Sequence, residues 1–349
     1  MYVLIVSKTQ EKESFEMTIK DLALKTGYSV GTVSRVLNNQ AHVSDLARET
    51  IMKAVQESGF RLNSNAKQLK QQHSNSILVI CKGRSNELFE SLLVIIQSRC
   101  AKAEHPVIID YIDESENVVQ RAVHLCPEKK PLGILFLGGN RDEFQADFDK
   151  INLPCVLVTG HAEDLSFPNL SSVTADDVQA ATMAIEHLVS LGHKNIAVIG
   201  GNRTYSDITR RRYQGCLQAF CRNGIGFAEE RDYETARYTY EDAYRAAKEL
   251  VCRDGSFTAL FAMSDVMAIG AIRALQDLGK RVPEDVSVVG VDGLSIGEYT
   301  IPRLSTVAQS VPELANRSVD LLLQAIDSKS AAHEIIPVTL MQRESAARI

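Results

Sequence analysis

"TIKDLALKTGYSVGTVSRVLNNQAHVSDLARETIMKAVQESGF", Thr18 to Phe60, parses into three short helices. Thr18 with Asp21 three residues on makes a capping box at a helix start. Ile19, Leu22 and Ala23 then share one face. Gly27 breaks that helix and supplies a tight turn. A second helix is predicted from about Val30 to Asn38, with Val33, Val36 and Leu37 inward. Ser44 caps a third, whose apolar positions Leu46, Ile51, Ala54 and Val55 keep helical spacing, and Gly59 ends it. Ala23, Gly27 and Val33 fall at relative positions 0, +4 and +10. A small residue lets two helices cross closely, a glycine makes the turn, and a branched apolar residue locks the second helix to the first. Those are the steric needs of a helix-turn-helix, whose second helix enters the DNA major groove. Val30, Gly31, Ser34, Arg35 and Asn38 then face outward, and with Thr32 and His42 they are the candidate DNA contacts. Arg35 suits a guanine edge or a phosphate, and Asn38 a phosphate or base.

Charge is unevenly spread. The chain carries a net −6, yet residues 17–73 hold eight Lys and Arg against four Asp and Glu. That segment is therefore +4 and the remainder −10. A basic head on an acidic body is suited to meeting a polyanion. Charge taken alone fits a solvated surface equally well.

The 349 residues allow two or three domains, and 45% hydrophobic with 23% charged is an ordinary globular composition. No apolar run approaches the roughly 18 residues that span a bilayer. "MYVLIV", 1–6, is too short for a secretory signal core and has no basic residue before it. A cytoplasmic protein with no membrane partner is expected. The seven cysteines, at 81, 100, 126, 155, 216, 221 and 252, form no C-x-x-C pair, and several lie in apolar runs. Reduced, buried thiols are the expectation. The eight histidines show no metal-ligand spacing, so no metal and no cofactor are expected.

From Ser76 onward, apolar β-branched runs alternate with amphipathic helical stretches. The runs are "ILVI", "PVIIDYI", "GILFLGG", "PCVLV", "NIAVIGG", "ALFAMS" and "VSVVGV"; the helical stretches are 87–104, 117–125, 177–191, 207–222, 240–252 and 264–278. That order implies parallel sheets flanked by helices on both faces. So many strands favour two sheets with a ligand crevice at their strand ends. The expected fold is a small all-α helix-turn-helix head plus an α/β body of two doubly wound parallel-sheet lobes.

Residues 18–60 resemble the DNA-binding head of the lactose/galactose repressor (LacI/GalR) family, above all in "GTVSRVLN" (31–38) and "VSDLARE" (43–49). The likeness continues in family order through "SLGHKNIAVIGG" (190–201), "RRRYQG" (210–215), "ALFAMSDVMAIGAIRAL" (259–275), "VPEDVSVVGVDG" (282–293) and "IPRLSTV" (301–307). It spans roughly Met17 to Ile349. The resemblance implies a head at 17–62, a hinge segment at 63–75 and an effector-binding, dimerising body at 76–349 of the periplasmic-binding-protein type 1 kind. Its lobes would exchange chain near Gly192, Gln309 and Val338, giving a first lobe of about 76–191 and 308–338 and a second of about 192–307 and 339–349. In the hinge, Asn63, Ala66 and Leu69 match the family pattern, with Leu69 as the wedge pushed into the minor groove. Leu62 stands where the family usually has proline. Alone this segment is too short and polar for a stable helix, so it is expected to order on DNA. Residues 1–16 precede the usual family start, and a misplaced start or a disordered tail is expected there. No heptad repeat follows "VTLMQRESAARI" (338–349), which speaks against a coiled-coil tetramer.

"VSVVGVDGLSIG", Val286 to Gly297, carries two readings. Gly293 to Gly297 fits the G-x-S-x-G nucleophile elbow around Ser295. Pro302 forbids a long helix after it, and His333 is the one histidine downstream, with Asp320 and Asp327 before it on an apparent amphipathic helix. The other reading rests on Asp292, at the end of a buried strand, where a carboxylate accepts hydrogen bonds from sugar hydroxyls or a purine N–H. In the family, the position within "VGVDG" contacts effector. Arg212 matches the family arginine that donates a fork of hydrogen bonds to ligand. Tyr238 aligns with an aromatic that packs on ligand, Ser264 stands where asparagine is common, Phe89 lies at a first-lobe position used by some members, and Gln309 sits at a crossover. The bland alternatives are that Asp292 caps a turn, Arg212 pairs with Asp207, and Tyr238 is plain core.

The combined expectation is a homodimeric transcription regulator, a repressor, on a pseudo-palindromic operator in double-stranded DNA. A sugar or sugar derivative bound between the lobes would control its operator affinity. Two alternatives remain: a hydrolase built on Ser295, and a solute-binding protein, which would need an export signal and would not carry the basic head.

Overall fold

The computed structural model describes residues 17–37, 43–58, 60, 74–83, 86–253, 255–328 and 330–349. The chain divides into two compact units, Met1–Gln72 and His73–Ile349. The expected contacts Asn38, His42, Asn63, Ala66 and Leu69, the tail 1–16 and nearly all of the hinge lie outside the described residues.

In the head, α1 (Ile19–Thr26) opens on the capping box. The Thr18 hydroxyl accepts from the Asp21 amide, and the Asp21 carboxylate accepts from the Thr18 amide at 2.9 Å. Gly27 closes it at φ 73°, in the left-handed region that glycine enters without steric cost. Helices α2 (Val30–Leu37) and α3 (Asp45–Ser58) follow. Leu22, Ala23, Val33, Val36, Ile51 and Ala54 form one small buried core. Leu46 does not belong to it: 71% of its surface is exposed, and Ala47 is buried in its stead. One step along a helix turns a side chain by about 100°, so spacing alone did not separate the two.

The body holds two six-stranded sheets. The first has the order β11-β5-β4-β3-β1-β2, from β1 (Ile77–Lys82), β2 (Val107–Ile112), β3 (Gly133–Leu137), β4 (Cys155–Val158), β5 (Leu170–Ala175) and β11 (His333–Ile336), all parallel. The second has the order β12-β10-β9-β8-β6-β7, from β6 (Ile196–Gly200), β7 (Tyr233–Thr235), β8 (Ala259–Ala262), β9 (Ser287–Asp292), β10 (Ser305–Gln309) and β12 (Val338–Met341), with β12 antiparallel to β10. Both faces of a parallel sheet are covered, so its strands read as continuous apolar runs. In β4, Val156 and Val158 pack into one core and Cys155 and Leu157 into the core on the opposite face.

Helices α4 (Glu87–Lys102), α5 (Val118–Lys129), α6 (Arg141–Asp147) and α12 (Val311–Ser328) clothe the first sheet. The second is covered by α7 (Asp177–Ser190), α8 (Asp207–Arg222), the short α9 (Glu229–Asp232), α10 (Tyr240–Arg253) and α11 (Asp265–Asp277). The first passage between lobes therefore lies before α7, at Asp176, and not near Gly192. Ala180, Ala181, Ala184, Ile185 and Leu188 of α7 share one core with β6, β8 and β9. The chain returns between Gln309 and α12, and leaves the first sheet for good between β11 and β12.

Strand β5 broke the expected pattern because Ser171, Ser172 and Thr174 interrupt its apolar run. The two serine hydroxyls are satisfied at the start of the edge strand: Ser172 Oγ meets His333 Nδ1 at 2.9 Å, and Ser171 Oγ accepts from Ala332 N at 3.1 Å, while the Thr174 hydroxyl donates to the Ala175 carbonyl at 3.3 Å. All seven cysteines are free. Cys81, Cys100, Cys155 and Cys216 are buried, but Cys221 and Cys252 are exposed, against expectation.

Candidate functional site

The head presents α2 outward. Ser29 caps it, accepting from Thr32 N at 3.1 Å, and its hydroxyl also lies 2.9 Å from that of Thr32. Thr32 thus spends its hydroxyl locally. Val30, Gly31 and Arg35 are exposed, and Ser34 is half-buried. A Cβ built on Gly31 would meet nothing closer than Ser29 Oγ at 3.8 Å. Packing within the head does not demand glycine there, and its lack of a side chain leaves a flat spot on the exposed face.

The body gathers its polar residues at the C-terminal strand ends. Asp292 ends β9 at φ 124°, a strained backbone for a residue with a side chain. Gln309, at the end of the adjacent β10, donates to Asp292 Oδ1 at 2.7 Å. Arg212 of α8 places Nη2 3.6 Å from the same oxygen, donates from Nε to Asp177 Oδ1 at 2.8 Å, and donates from Nη1 to the Met263 carbonyl. Arg212 does not pair with Asp207, which is held by Arg210 and Arg211. His161 of the β4–β5 loop lies 3.3 Å from Asp177 Oδ2 and 3.2 Å from Glu163 Oε1.

These charges are out of water: Arg212 is 4% exposed and Asp292 6%. Burial pushes the Asp177 carboxyl up, but Arg212 and His161 outweigh it and hold it below the usual carboxylate range. Burial raises Asp292, and Arg212 and Gln309 offset only part of the rise. Burial tends to lower His161, but Asp177 and Glu163 leave it raised.

Arg212, Asp292 and Gln309 therefore form one contact cluster. Tyr238 is half-buried; its hydroxyl lies 2.9 Å from Thr209 Oγ1, and its ring packs where a Cβ on Gly201 would stand 2.8 Å from it. Ser264 is the N-cap of α11, accepting from Met267 N at 3.1 Å. Phe89 is buried in the first-lobe core, its ring over Gly138.

Sequence reading overlooked Asp177, Asp265 and His161. Asp177 and Asp265 are each the first helical residue after a capping side chain, Asp176 and Ser264. An acid there reads as a complement to the helix dipole, yet both carboxylates turn inward. Asp265 accepts from Leu294 N at 2.7 Å and from Thr306 Oγ1, and so tethers the turn after Asp292. Burial and the nearby Asp292 push its carboxyl well up.

That tether also accounts for the G-x-S-x-G stretch. Ser295 is exposed in a short 3-10 turn, Ser295–Glu298. His333 lies on the other sheet against Ser172, and Asp320 pairs with Arg99 and Arg317. The serine, histidine and acid are not brought together.

The lobes touch on several sides of this cluster. Arg211 reaches Glu163 at 3.1 Å, Arg237 reaches Glu114 and Asp113, and the Tyr240 hydroxyl donates to Glu87. Val266 and Leu294 of the second lobe join the first-lobe core.

Comparison with known proteins agrees with this arrangement. Residues 18–63 match the model of bacterial regulatory proteins of the lacI family, and 185–346 that of a periplasmic binding protein-like domain. The chain is 32% identical to the HTH-type transcriptional regulator MalR of Clostridium butyricum, over 95% of this chain and 100% of that protein. Among solved structures, a lac repressor dimer bound to operator and the anti-inducer ONPF superposes with a TM-score of 0.79 at 27% identity, covering 95% of this chain and 99% of that one. A transcriptional regulator CelR–cellobiose complex superposes at 0.70 and 25% identity, covering 95% and 100%. With the two modules in family order and a relative matched along its whole length, the chain belongs to the LacI family of DNA-binding transcriptional regulators.

Proposed function

We propose that this regulator is a repressor whose operator affinity is set by a small polyhydroxylated molecule, a sugar or sugar derivative, held between the two lobes of its body. The observation that carries this is the buried cluster of Arg212, Asp292 and Gln309 at the strand ends, a guanidinium and an amide donor gathered on one carboxylate acceptor. Such a set satisfies vicinal hydroxyls, which both donate and accept. The cellobiose complex of CelR supports the ligand class. Tyr238 would supply an apolar face, while Ser264 and Phe89 would act through the helix cap and the core beneath the site.

The head would meet double-stranded DNA through Val30, Gly31, Thr32, Ser34 and Arg35, as a homodimer on paired half-sites about one helical turn apart. The lac repressor dimer bound to operator supports that geometry. Ligand would change the closure of the lobes, and closure the seating of paired heads, with a coupling of typically about 1–3 kcal/mol. The protein would work in the cytoplasm and without catalysis; the scattered positions of Ser295, His333 and Asp320 support the latter.

The test has two arms. Footprinting on genomic fragments should reveal a protected site that survives random competitor DNA. Asp292→Ala should bind that site as the parent does and lose the response to whichever saccharide moves the parent. A variant that responds normally removes Asp292 from the ligand site.

A further inference from the structure

The two lobes are joined by three passages of chain, and their rims also meet through side chains of fixed polarity. Arg237, in the turn between β7 and α10, pairs with Glu114 and lies 3.7 Å from Asp113, both in the turn after β2. Arg211 of α8 reaches Glu163 of the β4–β5 loop at 3.1 Å. The Tyr240 hydroxyl, at the start of α10, donates to Glu87 at the start of α4. In all three contacts the second lobe supplies the donor and the first lobe the carboxylate. One-sided polarity of this kind makes two surfaces electrostatically complementary and fixes their register. Deeper in the crevice the polarity reverses, where His161 of the first lobe faces Asp177.

Each rim arginine is the chain neighbour of a candidate site residue: Arg211 precedes Arg212, and Arg237 precedes Tyr238. Adjacent side chains on a helix diverge by about 100°. Arg211 therefore turns to the first lobe while Arg212 turns to Asp177 and Asp292. Beneath the rim, Leu294 and Val266 of the second lobe are only 5% and 7% exposed, and both pack in the first-lobe core. The rim pairs themselves are partly in water, where an ion pair adds little to folding. Two arrangements of intact lobes are separated by far less free energy than folded and unfolded chains are, so small contributions at the rim shift their populations.

We propose that Arg237 and Arg211, set against Asp113, Glu114 and Glu163, form an ionic clasp across the mouth of the crevice that holds the two lobes together. The clasp acts whatever molecule the crevice takes, so it does not depend on the sugar reading above. Its seat beside Arg212 and Tyr238 means that a shift of either site residue is passed directly to the rim. Its partial exposure makes it responsive to ionic strength, which a buried apolar contact is not.

Hydroxyl-radical footprinting of the full-length protein, read by mass spectrometry, measures how far Leu294 and Val266 meet water. Phe136 and Phe261, each fully buried within a single lobe, report on folding in the same experiment. In Arg237→Glu a carboxylate faces Glu114 and Asp113. Oxidation of Leu294 and Val266 should then rise about threefold or more, with Phe136 and Phe261 still protected. Adding Glu114→Arg restores an opposite pair and should return both side chains close to the parent level, a repair that a purely steric role for Arg237 would not show. About 1 M NaCl, where the screening length falls to about 3 Å, should act on the parent as Arg237→Glu does. Unchanged protection of Leu294 and Val266 in both Arg237→Glu and high salt overturns the clasp, and so does a double variant as oxidised as the single one. If Phe136 and Phe261 oxidise in Arg237→Glu, Glu114→Gln is read in its place; it removes one charge alone, and unchanged protection of Leu294 and Val266 there overturns the clasp equally.

Discussion

Asp177→Asn retains the shape of a side chain on which the buried ion network turns, and removes its charge. The carboxylate accepts from Arg212 Nε at 2.8 Å, and the two side chains are 3% and 5% exposed. After the substitution the nearest acid to Arg212 is Asp292, 3.6 Å away, whose own carboxyl is pushed toward its neutral form by burial. The guanidinium would then be buried with too little negative charge beside it. Removing one partner of a buried pair costs about 3–5 kcal/mol. For a body of roughly 280 residues, with an unfolding entropy near 2.1 cal/mol/K per residue, the melting midpoint should fall by about 5–9 °C. Urea denaturation and calorimetry of the full chain at neutral pH would measure both quantities. Arg212→Met alone should be comparably damaging, and the double variant should cost clearly less than the two added together. A loss below about 1 kcal/mol for Asp177→Asn, or singles that add to the double within about 0.5 kcal/mol, would refute the idea that these two charges depend on one another.

Three shorter predictions concern the head, the histidine and the serine. Arg35→Ala should weaken operator binding by about 1–3 kcal/mol; an unchanged footprint at equal protein concentration would remove Arg35 from the DNA-contacting face. His161 has its pKa raised in the folded protein, so its contribution is fully present below the unfolded value of about 6.5 and is lost as pH rises through the folded one. The midpoint difference between the parent and His161→Gln should accordingly be greatest on the acid side and shrink toward alkaline pH; a gap that widens with pH contradicts the pairing with Asp177 and Glu163. Ser295→Ala should leave any ester hydrolysis in the preparation untouched, and an activity that disappears with this variant would restore the hydrolase reading.

The head was legible because its determinants are local. A capping box, a left-handed glycine and the Ala23, Gly27, Val33 spacing each act within a few residues, and each is found in the folded protein. Leu46 and Ala47 show the limit, since only the position of α1 and α2 against α3 decides which of two adjacent apolar side chains is covered. The body's strands were legible where both faces meet apolar neighbours. They were hidden where hydroxyls such as Ser171 and Ser172 are satisfied at the start of an edge strand 161 residues away. Of the proposed ligand residues, Arg212, Asp292 and Gln309 were named from resemblance and are found in contact. Ser264 was named on the same grounds and is found capping a helix.

Local pattern is therefore enough to give the kind of each module and their order along the chain. Caps, turns and hydrophobic period are written in neighbouring residues, and the basic bias of the head is a plain count. Tertiary structure alone decided which lobe α7 joins and which charges share the crevice. Asp177 and Asp265 each look like ordinary acids at a helix start. Folding surrounds one with Arg212 and His161 and the other with Thr306 and the amide of Leu294. In a medium stripped of water, a charge takes its character from the few groups within hydrogen-bond reach, and those groups come from parts of the chain that no local pattern connects.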